Sequence, residues 1–80
     1  MSIIKAKHII ERIDFLVRMR STGCAGELAE IIGLSERSLF YYLSELKELG
    51  APVFWSRQEN SYVYRENGKI EIGFKINEKY

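Results

Sequence analysis

Cys24 and His8 are the only thiol and the only imidazole in the chain, and they are its most versatile chemical groups. One cysteine cannot close a disulfide within one chain. One cysteine and one histidine fall short of the three or four ligands of a protein zinc site. His8 has no Asp, Cys or second His at the spacing of a catalytic or ligand motif. Cys24 stands just before a helical segment, which can acidify a thiol, yet a passive thiol is the simpler reading. Paired carboxylates, a nucleophile–base set and a phosphate-cradling glycine loop are all missing at recognisable spacing. The expectation is a protein that is not an enzyme and that uses no metal and no cofactor.

The remaining chemistry lies in hydroxyls, aromatics and guanidinium groups. Phe40-Tyr41-Tyr42 is an aromatic run, and Trp55, Tyr62 and Tyr64 form a second aromatic set. The second set offers a stacking platform for single-stranded nucleic acid or, more simply, cross-strand packing in a small sheet. Twelve basic residues face eleven acidic ones, so the net charge of +1 gives no general attraction to nucleic acid or membrane. Binding of an acidic partner must come from local placement. Eighty residues, 46% of them apolar, suit one domain over 1–80. The N-terminal stretch meets charges too often for a signal peptide, and no stretch approaches a membrane span. With the single thiol, this predicts a cytoplasmic protein without membrane contact.

The elements that must position these groups change type halfway along. From about Ile4 to Arg20, residues Ala6, Ile9, Ile10, Ile13, Leu16 and Val17 form one apolar stripe at helical spacing. Ile4, His8, Phe15 and Met19 form a flanking line. A short helix follows over Gly26 to Ile32, with Leu28, Ile31 and Ile32 inward and Gly33 as its stop. Ser35 is a good N-cap for a helix from Glu36 to Leu49, closed by Gly50. Beyond Pro52, Val53-Phe54-Trp55 and Tyr62-Val63-Tyr64 flank a polar turn and read as a hairpin. Asn67-Gly68 signals a two-residue turn, after which Ile70, Ile72, Phe74 and Ile76 alternate as a third strand. The predicted class is α+β: a three-helix bundle with a C-terminal two- to three-stranded antiparallel sheet.

The segment GELAEIIGLSERSLFYYLSELKELGAP has the form of a helix-turn-helix. Glu27-Leu28-Ala29, Gly33-Leu34-Ser35, Arg37-Ser38-Leu39, Leu43, Leu46 and Gly50-Ala51-Pro52 make it resemble winged helix-turn-helix domains of the deoxyribose-repressor and biotin-repressor type. The similarity covers roughly Ile9 to Lys75. It implies double-stranded DNA binding by a small transcription regulator, with helix 36–49 in the major groove and hairpin 53–66 as the wing. With Leu39, Leu43 and Leu46 inward, projection puts Arg37, Tyr41, Ser44 and Glu48 outward, flanked by Ser38 and Phe40. The implied DNA-binding residues are Ser35, Arg37, Ser38, Phe40, Tyr41 and Ser44 on the helix and Arg57 and Arg65 on the wing. Arg37 is the candidate for a guanine contact, and the wing arginines for phosphates.

One departure opens a second reading. DNA-binding members of this group usually carry basic residues where this chain has Phe40 and Tyr41. Helix 36–49 holds Glu36, Glu45 and Glu48 against Arg37 and Lys47, a net charge of −1 that weakens phosphate contact. Lys5, Lys7, Arg12, Arg18 and Arg20 outnumber Glu11 and Asp14 in the first twenty residues and offset this in part. The alternative is a winged helix that binds another protein through the aromatic face of helix 36–49, without DNA. Tyr42 is expected in the core and Tyr41 outside it. Phe40 belongs either to the recognition surface or under the wing. The line of Ile4, His8, Phe15 and Met19 is either a homodimer seam or a strip covered by the wing or C-terminal strand.

Overall fold

Ile10, Ile13 and Val17 recur at helical spacing and are buried on one side of helix α1, Ile3–Arg18, with Ala6, Ile9 and Leu16 packed beside them. The computed structural model describes residues 2–74. In it α1 is followed by α2, Ala25–Ile32, and α3, Glu36–Glu48, then by strands β1, Val53–Ser56, and β2, Ser61–Tyr64. Leu28 and Ala29 of α2 and Leu39, Tyr42, Leu43 and Leu46 of α3 complete the core. The layout of three helices and a two-stranded antiparallel hairpin is compatible with a winged helix. Among the described residues, no helix is long and apolar enough to cross a membrane.

One backbone device ends all three helices. A left-handed residue lets its own amide and the next one fold back onto carbonyls of the last turn. Gly33 (φ 87°) does this after α2, where the Leu34 amide donates to the Ala29 carbonyl at 2.8 Å. Gly50 (φ 97°) does it after α3, with the Ala51 amide on the Leu46 carbonyl at 3.0 Å. In both places a Cβ would strain the backbone. After α1 the left-handed residue is Arg20 (φ 56°), with the Ser21 amide on the Leu16 carbonyl. This turn closes α1 at Arg18, two residues before the expected end.

The hairpin pairs Val53 with Tyr64, Phe54 with Val63, Trp55 with Tyr62 and Ser56 with Ser61 around a turn at 57–60. Trp55 and Tyr62 meet edge-on with centroids 5.2 Å apart, the expected cross-strand packing. Val53 and Val63 are buried, as is Ser61.

The third strand is not formed within the described residues, and Asn67-Gly68 makes no hairpin turn. The Ile70 amide donates to Asp14 Oδ1 at 3.1 Å instead of to a neighbouring strand. Ile70 and Ile72 still pack against the core, whereas Phe74 is 94% exposed. Ile76 lies outside the described residues. Ile31 was expected inward and is exposed instead, because the short α2 turns Ala25, Leu28, Ala29 and Ile32 towards its neighbours.

Two buried polar knots hold the hairpin against the helices. Asp14, 2% exposed, accepts from Arg18 Nε, the Tyr64 hydroxyl and the Ile70 amide. Thr22 and Ser61, both fully buried, join the α1–α2 loop to β2. The Thr22 amide donates to Ser61 Oγ at 3.0 Å, and the Tyr62 amide to Thr22 Oγ1 at 2.8 Å. Such groups are tolerable inside a small core only because each has a partner.

Candidate functional site

The exposed side of α3 follows from which of its residues the core takes. Leu39, Tyr42, Leu43 and Leu46 lie inward, so Arg37, Tyr41, Ser44 and Glu48 project to solvent as the helical projection requires. Phe40 flanks this face and is half exposed, at 49%. Tyr42 is core, as expected.

The start of α3 is set by Ser35. Its hydroxyl accepts from the Ser38 amide at 3.1 Å and donates to Ser38 Oγ at 3.2 Å. This satisfies one of the orphan amides of the first turn. It leaves the Ser38 hydroxyl proton free to turn towards a partner. Arg37, in the same turn, has no hydrogen-bond or ion-pair partner among the described residues.

Tyr41 behaves differently from its neighbours. Its hydroxyl bonds to the Glu45 carboxylate one turn on, and that bond, with the carboxylate's charge, holds the phenol above its ordinary pKa. The ring is also edge-on to Tyr42 at 5.3 Å. Tyr41 thus leans towards the Glu45 flank, where a groove of about 450 Å³ runs between α3 and the start of α1. Ile3, Ile10, Leu49 and Ile72 form its apolar walls, and Lys7, Glu45 and Glu48 are its charged lining.

Arg57 and Arg65, the arginines expected on the hairpin, are not brought together. Arg57 lies in the exposed turn after β1, free of acidic partners among the described residues. Arg65 lies at the base, its amide on the Pro52 carbonyl and its guanidinium 4.4 Å above the Phe54 ring. A four-residue strand puts roughly 13 Å between tip and base. Stacking fixes the Arg65 plane while leaving its N–H edges available.

The cations expected to compensate from the first helix are mostly occupied. Lys7 pairs with Glu11 at 3.0 Å, Arg18 with Asp14 at 3.0 Å, and Arg20 with Glu59 at 2.8 Å. Arg12 donates to the Ile31 carbonyl at the end of α2. Of the five, Lys5 alone has no such partner among the described residues.

Ile4, His8, Phe15 and Met19 all lie exposed, and neither hairpin nor C-terminal segment covers them within the described residues. His8 and Phe15 border a shallow groove that also takes in Leu16 and Ile31. Cys24 is an exposed free thiol at the start of α2, where its amide donates to Glu27 Oε1 at 2.9 Å. That amide, and next the Cys24 side chain, hold the Glu27 carboxyl below its ordinary pKa. Among the described residues, no group of three or more His, Cys, Asp or Glu could hold a metal ion.

No protein-family model, curated protein or solved structure matches this chain.

Proposed function

We propose that the chain is a winged helix that binds double-stranded DNA in a sequence-dependent way, as a small transcription regulator. In this reading α3 enters the major groove with its N-terminal turn leading, and the β1–β2 hairpin lies on the neighbouring backbone. The observation that carries it is the sorting of cations. Arg37 and Arg57 have no acidic partner among the described residues, and Arg65 is stacked with its N–H edges free. Lys7 and Arg18 of α1 and Arg20 in the turn after it are each tied to a carboxylate. Guanidinium groups left unpaired on one helix face and one hairpin suit base and phosphate contact. Two copies would bind two half-sites by pairing through Ile4, His8, Phe15 and Met19.

Gel-shift titrations with genomic fragments at two salt concentrations test this function. Binding is expected at low salt, with a shallow dependence of log K on log salt, about −2 to −4 for two to four phosphate contacts. Absence of a shifted band at low salt would overturn it.

A second reading is favoured by the groove beside Tyr41. Its apolar walls, formed by Ile3, Ile10 and Leu49, suit a protein partner better than a phosphate backbone. Capture of one partner protein, lost on Tyr41→Ala, together with failure to bind DNA, would establish this reading in place of the first.

A further inference from the structure

Arg37 and Phe40 lie three residues apart on the open side of α3, Arg37 exposed and Phe40 with about half of its surface open to solvent. Of the three aromatic rings on α3, Tyr41 and Tyr42 pack on each other, and the Tyr41 hydroxyl is held by Glu45. Phe40 makes neither an aromatic nor a cation contact among the described residues. It is an exposed hydrocarbon disc beside a free guanidinium. Ser44, four residues on from Phe40, continues the same line along the helix.

We infer that this pair reads a two-base word, a guanine beside a thymine, with Arg37 on the guanine and Phe40 on the thymine 5-methyl group. The inference rests on the DNA-binding function proposed above. Three residues of α-helix advance about 4.5 Å along the axis. Successive bases on one strand are about 3.4 Å apart. A helix laid along the major groove therefore brings residues 37 and 40 to neighbouring base pairs. The guanine edge offers O6 and N7, which fit the guanidinium fork. For the phenyl ring the choice is narrower. All four bases present polar atoms in the major groove, and a phenyl ring set over them would strip these of water without replacing the lost hydrogen bonds; thymine adds a methyl group beside its O4 on which the ring can rest instead. The thymine methyl is the apolar group on that surface. Phe40 thus selects twice, by contact with the methyl and by exclusion of the polar edges.

Selection of bound duplexes from a random pool by the purified full-length chain gives the preferred site. Replacing each thymine in that site by deoxyuridine then removes one methyl group at a time. The expected result is a single sensitive thymine next to the guanine whose identity stops mattering in Arg37→Ala. Deoxyuridine there weakens wild-type binding about fourfold, the effect of one buried methyl. Phe40→Ala binds both duplexes equally. Phe40→Gln, which offers a donor and an acceptor, shifts the preference at that position to adenine. The inference is overturned if deoxyuridine is neutral at every position beside that guanine. It is also overturned if no thymine occurs there, or if Phe40→Ala keeps the wild-type loss. In these cases DNA binding itself stands. Selection of no sequence at all overturns the DNA-binding function, and this inference with it.

Discussion

The Tyr64 hydroxyl donates to Asp14 Oδ1 across 2.6 Å, joining the end of β2 to the middle of α1 over fifty positions of sequence. The same carboxylate holds Arg18 and the Ile70 amide. Removing it leaves three donors without an acceptor in a half-buried setting. Asp14→Ala is expected to lower stability by about 3 kcal/mol, a large share of what so small a domain has. Tyr64→Phe removes one donor and should cost about 1–2 kcal/mol. Urea denaturation of both variants measures this, and an Asp14→Ala loss smaller than that of Tyr64→Phe would refute the arrangement.

Alkaline pH probes the same pair. Burial, then the hydrogen bond to Asp14 and its charge, push the Tyr64 phenol well above its ordinary value of 10.0. The folded state therefore holds the phenolic proton more tightly than the unfolded chain does. The resulting stability is intact below about pH 10 and is lost as pH climbs from there towards the raised folded value. Wild-type unfolding free energy should fall above pH 10, and Tyr64→Phe should flatten that fall. Equal slopes in the two proteins would show that Tyr64 does not carry the effect.

Arg20 occupies a left-handed turn position that favours glycine, and its side chain reaches Glu59 in the hairpin turn. The ion pair is exposed and contributes at most about 1 kcal/mol. Left-handed geometry costs a side-chain-bearing residue about 1–2 kcal/mol. Arg20→Gly should match or slightly exceed wild-type stability, and Arg20→Ala should fall about 1 kcal/mol below Arg20→Gly. Thermal melts that rank alanine above glycine would contradict this reading of the turn.

Arg37 and Arg57 should fail in different ways if α3 reads bases and the hairpin touches phosphates. Arg37→Ala is expected to relax sequence preference by about 1–3 kcal/mol at one base pair. Arg57→Ala should weaken binding to all sequences alike and reduce the salt slope by about 1. Competition gel shifts against matched and mismatched duplexes separate the two, and identical behaviour of the variants would count against the assigned roles.

The exposed line on α1 makes a prediction about assembly. If copies pair there, sedimentation should show a concentration-dependent dimer, which Phe15→Glu reduces to monomer without changing the circular dichroism. A wild-type monomer at all accessible concentrations would remove the dimer from the scheme.

Much of the helical half was legible because apolar spacing and capping agree. Ile10, Ile13 and Val17 mark the buried side of α1, Leu39, Leu43 and Leu46 mark that of α3, and Ser35 and Gly33 mark boundaries within a residue of those observed. The exposed line of Arg37, Tyr41 and Ser44 follows directly from that spacing. The C-terminal part was less legible. The alternation of Ile70, Ile72 and Phe74 is the pattern of a strand, and Asn67-Gly68 that of a tight turn. A side chain fifty-six positions away takes the Ile70 amide, and local pattern carries no trace of such a contact. A sign of it was present in Asp14, a carboxylate set among Ile10, Ile13 and Val17 on the buried stripe. A charge in that position requires buried partners. The pairing of Arg20 with Glu59 was equally hidden, because the two are distant in sequence, whereas Lys7 with Glu11 and Arg18 with Asp14 stand at the four-residue spacing of neighbours on one helix face.

The hairpin is fastened at both ends. Arg20 with Glu59 and Thr22 with Ser61 hold the tip, and Asp14 with Tyr64 holds the base. If the proposed DNA binding holds, a hairpin so braced has little freedom left to lose when it meets a duplex. Its association should therefore carry a small entropic penalty, and the heat-capacity change should reflect the contact area alone, without the excess that accompanies folding of a loose arm.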